Sequence, residues 1–356
     1  MINLLSNPLP TADGTEKSKA TALNLLSGKR PHMRGFHFAW LSFQVAFFGW
    51  YSIPPLIPTI QSDLKLTTDQ INNSNIIAVS STILFRIIAG LLCDRLGPRR
   101  VMACILLSGC IPVALSGLAH DATSFMTLRF FIGLLGSSFV PCQFWTMQMF
   151  EKNAVGAANA FVGGWGNMGA GVTTLLMPLL YDTIALRLPP HQAWRVVFLI
   201  PTFMIITVAI LVLLFTDDCP QGKWVQHGKP VEREILESNE KKTAGVIKVT
   251  DDQSDSDKND DETQASPKPG LQAYLRAVQN PNVIMLMMMY SCCFGVELAV
   301  DNAIATFFHN HFNLGQTLAG TIGSIFGLMN IFSRPTGGLL SDFLFSKFEI
   351  RGRLAI

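Results

Sequence analysis

The chain alternates between apolar runs of about 20 residues and short polar turns. An α-helix of that length crosses a hydrocarbon core of about 30 Å. The pattern predicts about eight membrane-spanning helices, over residues 36–60, 71–93, 101–119, 125–149, 154–184, 193–215, 283–308 and 318–340. The predicted fold class is therefore all-α, a polytopic membrane protein.

A long polar segment separates the sixth predicted span from the seventh. Its middle reads DDQSDSDKNDDETQAS, which has too little apolar surface to fold by itself. Ser254 and Ser256 lie among these acids, where a regulatory kinase could act, although a solvated linker is the simpler interpretation. The pattern predicts an N-terminal tail, a six-helix bundle, a largely disordered loop and two helices of an incomplete second bundle, at residues 1–35, 36–215, 216–280 and 281–356.

Basic residues are concentrated in the polar segments on one side of the predicted spans. The N-terminal tail is basic, the turn after the second span contains Arg95, Arg99 and Arg100, and further basic residues follow the last span. Because lysine and arginine favour the cytoplasmic side of a membrane, the N-terminus is predicted to be cytoplasmic. We expect a multi-pass protein of the plasma membrane.

The composition agrees with a membrane protein and excludes several other classes. Hydrophobic residues make up 49% and charged residues 15%, with a mean hydropathy of +0.33 and a formal charge of +2. A soluble protein carries about 25% charged residues. The seven cysteines show no metal-binding spacing, and no nucleophile–base pair or phosphate loop is visible. We expect no enzyme activity, no cofactor, no metal, no nucleic-acid partner and a monomer in the bilayer.

A nine-residue motif occurs twice, as RIIAGLLCD from Arg86 to Asp94 and as RPTGGLLSD from Arg334 to Asp342. The copies lie in the second and eighth predicted spans. This placement is expected if each half of the protein has six spans, as in transporters built from two related bundles. The chain would then contain about eight of an expected twelve helices and lack its C-terminal part.

Arg86 and Arg334 lie inside apolar runs, where an arginine costs about 2.5–3.5 kcal/mol on insertion scales. Two equivalent arginines facing one cavity, with no acid at the corresponding places, would form a site for a small planar oxyanion. A guanidinium keeps its proton and presents forked donors that suit two oxygens of one anion. The alternative is that each arginine pairs with a carboxylate or a helix-end carbonyl as a packing element.

The fifth predicted span contains the segment FVGGWGNMGAGV. Its glycines remove side chains from more than one face, so that other helices can approach closely. Asn167 interrupts this smooth surface, and an amide so deep in a bilayer needs a partner, for which a ligand is a good candidate. The packing signature consists of Gly163, Gly164, Gly166, Gly169 and Gly171.

Several segments together resemble a known family. The signature loop of the major facilitator superfamily is similar to GLLCDRLGPRR, and other marks of that fold are similar to RFFIGLLG and AWRVVF. The nitrate signature of the nitrate/nitrite porter family resembles GGWGNMGAG. Its eukaryotic branch resembles FGVELAVDNAIATFF and TDDCPQGKW, and the long central loop is similar to that of its fungal members.

The resemblance implies a proton-coupled importer of nitrate, with nitrite as a further candidate, that works by alternating access. Another major facilitator substrate, or a non-transporting sensor or inactive fragment, stays open as an alternative. The resemblance also implies a substrate site. Its members in this sequence would be Arg86, Arg334, Asn167, Tyr290, Phe294, Phe139 and one of Phe47 and Phe48.

Two further sets of charged residues carry hypotheses. Glu297 and Asp301 lie one helical turn apart, where repulsion could make one of them hold a proton and couple transport to protons. The alternative places them at the outer mouth, hydrated or paired to an arginine. A cytoplasmic latch between helices is predicted from Asp94, Arg95, Arg99 and Asp342.

Overall fold

The computed structural model describes residue 11, residues 18–222, residue 224 and residues 278–354. Every regular element within these residues is a helix, as predicted. Ser254, Ser256 and most of the central loop lie outside the described residues. The α-helices are α1 His32–Trp50, α2 Ile57–Leu64, α3 Thr68–Leu96, α4 Pro98–Leu115, α5 Ala122–Ile132, α6 Phe139–Met149, α7 Lys152–Ala185, α8 Pro190–Val197, α9 Leu199–Phe215, α10 Pro281–Phe312, α11 Gln316–Leu328 and α12 Asn330–Leu354.

Within the described residues, six helical segments are long and apolar enough to cross a membrane, judged by length and composition. Short 3₁₀ turns extend α4 and join α5 to α6. The six segments are Thr68–Leu96, Pro98–Leu118, Ala122–Met149, Ala154–Ala185, Pro190–Phe215 and Pro281–Phe312.

The first and last predicted spans are not continuous helices, which corrects the sequence-based prediction. Span 36–60 is divided, because α1 ends at Trp50 and a 3₁₀ turn leads into α2. Pro54 and Pro55 in that turn have no backbone N–H to continue the hydrogen-bond ladder. Span 318–340 is divided at Met329, between α11 and α12. Arg334 therefore lies near the beginning of a helix, five residues inside α12.

The helix that carries Arg86, α3, begins and ends at residues that the sequence marks. Thr67 accepts a hydrogen bond from the Gln70 backbone at 3.2 Å, and the Gln70 side chain accepts one from Thr67 at 2.9 Å. This capping box satisfies two backbone N–H groups of the first turn. Gly97 ends α3 with φ of 85°, a conformation that favours glycine, and Pro98 then begins α4.

The chain forms two compact units. The first consists of Met1–Trp224 and Cys293–Ile356, and the second of Val225–Cys292. In the second unit, residues 278–292 are described and include the first part of α10. The domain boundaries read from the sequence stay predictions.

Within the first unit, α7 packs closely against α1 at two glycines. A Cβ atom added to Gly166 would overlap the ring of Phe43, and one added to Gly169 would overlap the backbone oxygen of Gln44. The missing side chains are therefore what allow α1 to approach α7. This close contact fixes the position of Asn167, which lies between the two glycines.

The same helix packs closely against α11 and α12 at two other glycines. A Cβ atom on Gly171 would lie 2.5 Å from the backbone nitrogen of Leu328, and one on Gly164 would lie 2.6 Å from the backbone oxygen of Asn330. Gly163 is less constrained, because its Cβ would lie 3.3 Å from the nearest side-chain atom. Helix α7 thus joins the first predicted bundle to the part of the chain that carries Arg334.

We expect Gly171→Ala to destabilise the protein, because the added methyl group would force α11 away from α7. Overpacking of this kind costs about 1–3 kcal/mol. The matched control is Gly90→Ala, since no atom lies within 4 Å of a Cβ at Gly90. Thermal unfolding in detergent, followed by circular dichroism, measures both variants. Equal melting temperatures for Gly171→Ala and the control would contradict this account of the packing.

Candidate functional site

Arg334 of α12 is paired with a carboxylate from another helix. Its Nη2 atom forms an ion pair with Oε2 of Glu297 in α10, and its Nε donates to Oδ1 of Asn330 at 3.0 Å. The two charged side chains are 26% and 15% exposed. The expectation that no acid lies beside the arginines is therefore wrong for Arg334, which pairs with a carboxylate. A buried guanidinium without a counter-charge would carry a large desolvation penalty, and Glu297 offsets it.

Two asparagines form hydrogen bonds with this pair. Asn330 donates from Nδ2 to Glu297 Oε1 at 3.0 Å, while its Oδ1 accepts from Arg334. Asn167, with its amide oxygen toward Arg334, accepts from Nε at 3.0 Å and from Nη2 at 2.7 Å. The opposite orientation would set its NH₂ group against these donors. We call Arg334, Glu297, Asn167 and Asn330 the central cluster.

The two arginines singled out by the repeat approach the same aromatic ring. The Cζ atom of Arg86 lies 4.8 Å from the ring centre of Phe294, and that of Arg334 lies 5.8 Å from it. Phe139 stacks on Phe294 at 6.2 Å between ring centres, and Arg86 lies 5.5 Å from the Phe139 ring. Cation–π attraction of this kind stabilises each charge beside a ring face. Arg86 also donates from Nε to the Gly136 oxygen at 3.2 Å.

Two other aromatic residues were predicted to belong to the site. Phe47 is buried, and its ring contacts those of Phe43, Trp50 and Tyr51 at 4.5, 5.2 and 5.7 Å. These contacts belong to the packing around α1. Tyr290 lies one turn before Phe294 on α10, in the second unit, and is 40% exposed.

The basic turn predicted as a latch forms hydrogen bonds with the end of α9 and with the segment that follows it. The Arg99 backbone N–H donates to Asp218 Oδ1 at 3.2 Å, and its guanidinium donates to the Leu213 oxygen. The Trp224 indole donates to the Asp94 backbone oxygen at 3.3 Å. Burial raises the pKa of the Asp218 carboxyl, while the Arg99 N–H and nearby arginines oppose that shift. The switching role stays a prediction.

Two other residues in the predicted latch lie near helix ends or within helices. Arg95 is in the last turn of α3, next to Asp94. Asp342 lies within α12, eight residues after Arg334, as the repeat requires. The structure therefore places one copy of the repeat on α3 and the other on α12.

Arg129 enters the sequence analysis only as the first residue of the segment RFFIGLLG, a mark of the fold. Arg129 of α5 is fully buried, and its Nη2 donates to the side-chain oxygens of Asn75 and Asn302, the latter at 3.5 Å. Asp301, the predicted partner of Glu297, is buried one turn beyond it on α10. The signal that marked Arg86, an arginine inside an apolar run, was equally present at Arg129.

Arg195 forms hydrogen bonds and an ion pair that join neighbouring helices. Arg195 of α8 donates from Nη1 to the backbone oxygens of Gly117 and Ala119, both at 2.8 Å. Its Nη2 lies 3.2 Å from Asp63 Oδ2, which also accepts from the Trp194 indole at 3.0 Å. Arg195 thereby ties α8 to the turn after α4 and to α2.

The chemistry available at the central cluster is that of guanidinium, amide and carboxylate groups. Within the described residues, no group of three or more His, Cys, Asp or Glu side chains could hold a metal ion. The donors of Arg334 and Asn330 bind a planar carboxylate through its two oxygens. The same donors suit any small planar oxyanion that takes the place of this carboxylate.

Comparisons with known proteins point to one family. The profile of the Major Facilitator Superfamily matches residues 39–356. The relative named "High affinity nitrate transporter 2.7" of Arabidopsis thaliana is 38% identical over 342 residues, which cover 94% of this chain and 64% of the relative. "High-affinity nitrate transporter 2.3" of Oryza sativa subsp. japonica is 38% identical over 337 residues, with 94% and 59% covered.

A more distant relative, "Nitrate/nitrite transporter NrtP" of Nostoc punctiforme, is 26% identical over 347 residues, with 87% of this chain and 69% of the relative covered. These relatives are named as transporters, which agrees with the prediction that the chain is not an enzyme. The chain spans about three fifths of the length of the plant relatives.

A solved structure shares the fold. The bacterial homolog of the human lysosomal transporter Spinster, inward-facing and unoccupied, superposes with a TM-score of 0.58 at 15% identity. The match covers 91% of this chain and 64% of that one. The predicted fold class, a helical bundle of the major facilitator type, is confirmed.

We expect Arg195→Lys to lower thermal stability, because lysine cannot reach Asp63 and two backbone oxygens at once. Hydrogen bonds to a charged group contribute about 1.5–3 kcal/mol each. The control is Arg187→Lys at an exposed position. Thermal unfolding reports the loss, and anion binding by the folded fraction should stay at the wild-type level. Weakened anion binding with normal stability would show that Arg195 belongs to the functional site instead.

Proposed function

Because the chain belongs to the Major Facilitator Superfamily and is a multi-pass membrane protein, we propose that it imports nitrate across the plasma membrane. Nitrite is the second substrate in this proposal, and the N-terminus faces the cytoplasm. The names of the plant and cyanobacterial relatives support nitrate as the substrate. The two arginines beside Phe294 support it independently, since a neutral or cationic solute would not need them.

The observation that carries the proposal is the Arg334–Glu297 pair. A carboxylate and nitrate are both planar, and both spread one negative charge over equivalent oxygens. The groups around Glu297 are therefore the groups that a bound nitrate requires, namely the Arg334 guanidinium and the Asn330 amide. In our proposal nitrate displaces Glu297 and lies between Arg334 and Arg86, against the Phe294 ring.

In our proposal, alternating access uses the placement of the two arginines on the two predicted bundles. Arg86 belongs to α3 in the first predicted bundle, and Arg334 belongs to α12 in the second. An anion that binds both arginines reduces their mutual repulsion and favours the conformation in which they are close. The anion therefore shifts the population toward the occluded state by its differential affinity.

Proton coupling follows from the displacement of Glu297. Once nitrate occupies Arg334, the Glu297 carboxylate has lost its counter-charge and lies one turn from the buried Asp301. Two unpaired carboxylates in a medium of low dielectric constant repel each other strongly. One proton taken up by Glu297 removes this repulsion. The empty and the loaded sites then carry the same net charge, because one proton accompanies each nitrate.

We expect Arg334→Lys and Arg86→Lys each to weaken nitrate binding by about 10-fold or more. A lysine retains the charge but loses the fork, and a charge-assisted hydrogen bond is worth about 1.5–3 kcal/mol. Isothermal titration of the purified chain in nanodiscs measures the affinity. Arg187→Lys, at an exposed site, is the matched control. Wild-type affinity in both site variants would overturn the proposed function.

We expect Glu297→Gln to bind nitrate more tightly than the wild type and to abolish proton uptake on binding. Glutamine is uncharged and therefore competes with nitrate for Arg334 less strongly than glutamate does. Its amide group takes up no proton near neutral pH. A pH-indicator dye in weakly buffered solution measures protons taken up per nitrate, with about one expected for the wild type. Asp69→Asn, at an exposed position, is the control. Undiminished proton uptake in Glu297→Gln would remove Glu297 from the coupling path.

A further inference from the structure

Arg129 is a fully buried cation whose hydrogen-bonding capacity is only partly used. Its Nη2 donates to Asn75 and Asn302, but its Nε and Nη1 have no hydrogen-bond partner. Among the ion pairs of the described residues, none involves Arg129; they join Arg30 to Asp217, Arg195 to Asp63 and Arg334 to Glu297. Arg195, by contrast, uses its guanidinium to bond two carbonyls and a carboxylate.

A further unused donor lies nearby. The Tyr51 hydroxyl group is fully buried and has no hydrogen-bond partner, and Tyr51 lies near enough to Arg129 for the two groups to interact electrostatically. We call Arg129, Tyr51, Asn75 and Asn302 the Arg129 cluster. Buried donors that lack an acceptor are rare in folded proteins, because each leaves its desolvation uncompensated.

The polar atoms that the Arg129 cluster leaves unused are donors. The Asn302 amide nitrogen is occupied, since it donates to the Leu298 oxygen at 2.8 Å. The nearby acid Asp301 interacts electrostatically with Glu297 and Arg334 of the central cluster and also with Tyr51. Among the described residues, no hydrogen bond or ion pair joins Asp301 to Arg129. A group that satisfies Arg129 must therefore supply negative charge and acceptor oxygens, and it must be small, because Arg129 has no exposed surface.

We propose that the Arg129 cluster is a second binding site for the transported oxyanion, separate from the central cluster. The anion accepts hydrogen bonds from Nε and Nη1 of Arg129, with the Tyr51 hydroxyl as a further donor. This inference rests on the proposed function, since it takes the substrate to be a small planar oxyanion.

The two sites follow each other along α10. Asn302 lies five residues after Glu297, a rise of about 7.5 Å along a helix axis. Tyr51, at the end of α1, and Asn75, in α3, bring elements of the first predicted bundle to this second site.

Equilibrium binding of isotope-labelled nitrate to the purified chain in lipid nanodiscs tests the inference. We expect about two nitrate ions per chain at saturation for the wild type and about one for Arg129→Lys, which keeps the charge but loses Nε and the fork. Arg334→Lys should lose the other ion. Arg187→Gln, which removes a positive charge at an exposed position, should bind two ions.

Tyr51→Phe is a second variant that tests the inference even if Arg129→Lys fails to fold. It removes one hydroxyl group and should weaken the second binding event by about 3-fold to 10-fold, with the first unchanged. A single nitrate in the wild type, lost in Arg334→Lys and kept in Arg129→Lys, would overturn the second site and leave the proposed function intact. Two ions retained in Arg129→Lys, together with an unchanged second binding affinity in Tyr51→Phe, would also overturn it. The absence of any bound nitrate in the wild type would overturn the proposed function together with this inference.

Discussion

A guanidinium group inside a helical bundle is costly without a counter-charge, and Glu297 of α10 supplies one to Arg334 of α12. The pair is half of a larger arrangement, because Asn330 and Asn167 bond to it and orient both charges. In a medium of low dielectric constant such a pair is strong while intact and costly when one member is removed. A protein that must release and rebind an anion can use this property, because the carboxylate and the substrate compete for one guanidinium.

Helix α7 packs closely against α11 and α12, and this packing places Arg334 beside Asn167. Gly164 faces the backbone of Asn330, and Gly171 faces that of Leu328, so that α11 and α12 lie against α7 without intervening side chains. Glycine is normally unfavourable in a helix, by about 1 kcal/mol relative to alanine. Here it permits close backbone packing, which is the usual source of helix association in lipid. The glycines therefore contribute to the site by positioning the helices that carry its charges.

The buried arginines differ in what satisfies them. Arg195 bonds two backbone oxygens and Asp63, which is a complete set of structural partners. Arg334 is paired with the Glu297 carboxylate, which nitrate displaces in our proposal. Arg129 has neutral amide partners for one nitrogen and none for the other two. The proposals made above for Arg334 and Arg129 rest on this difference in partners.

The all-helical class, the six continuous apolar segments and the repeat that contains Arg86 and Arg334 could be read from the sequence. Apolar length and an internal repeat are local properties, and each is visible in a single chain. The breaks at Pro54–Leu56 and Met329, the pairing of Glu297 with Arg334 and the placement of Phe47 in the packing of α1 could not. Glu297 and Arg334 are 37 residues apart on different helices. Whether a buried charge has a partner depends on which helices meet, and only the tertiary structure decides that.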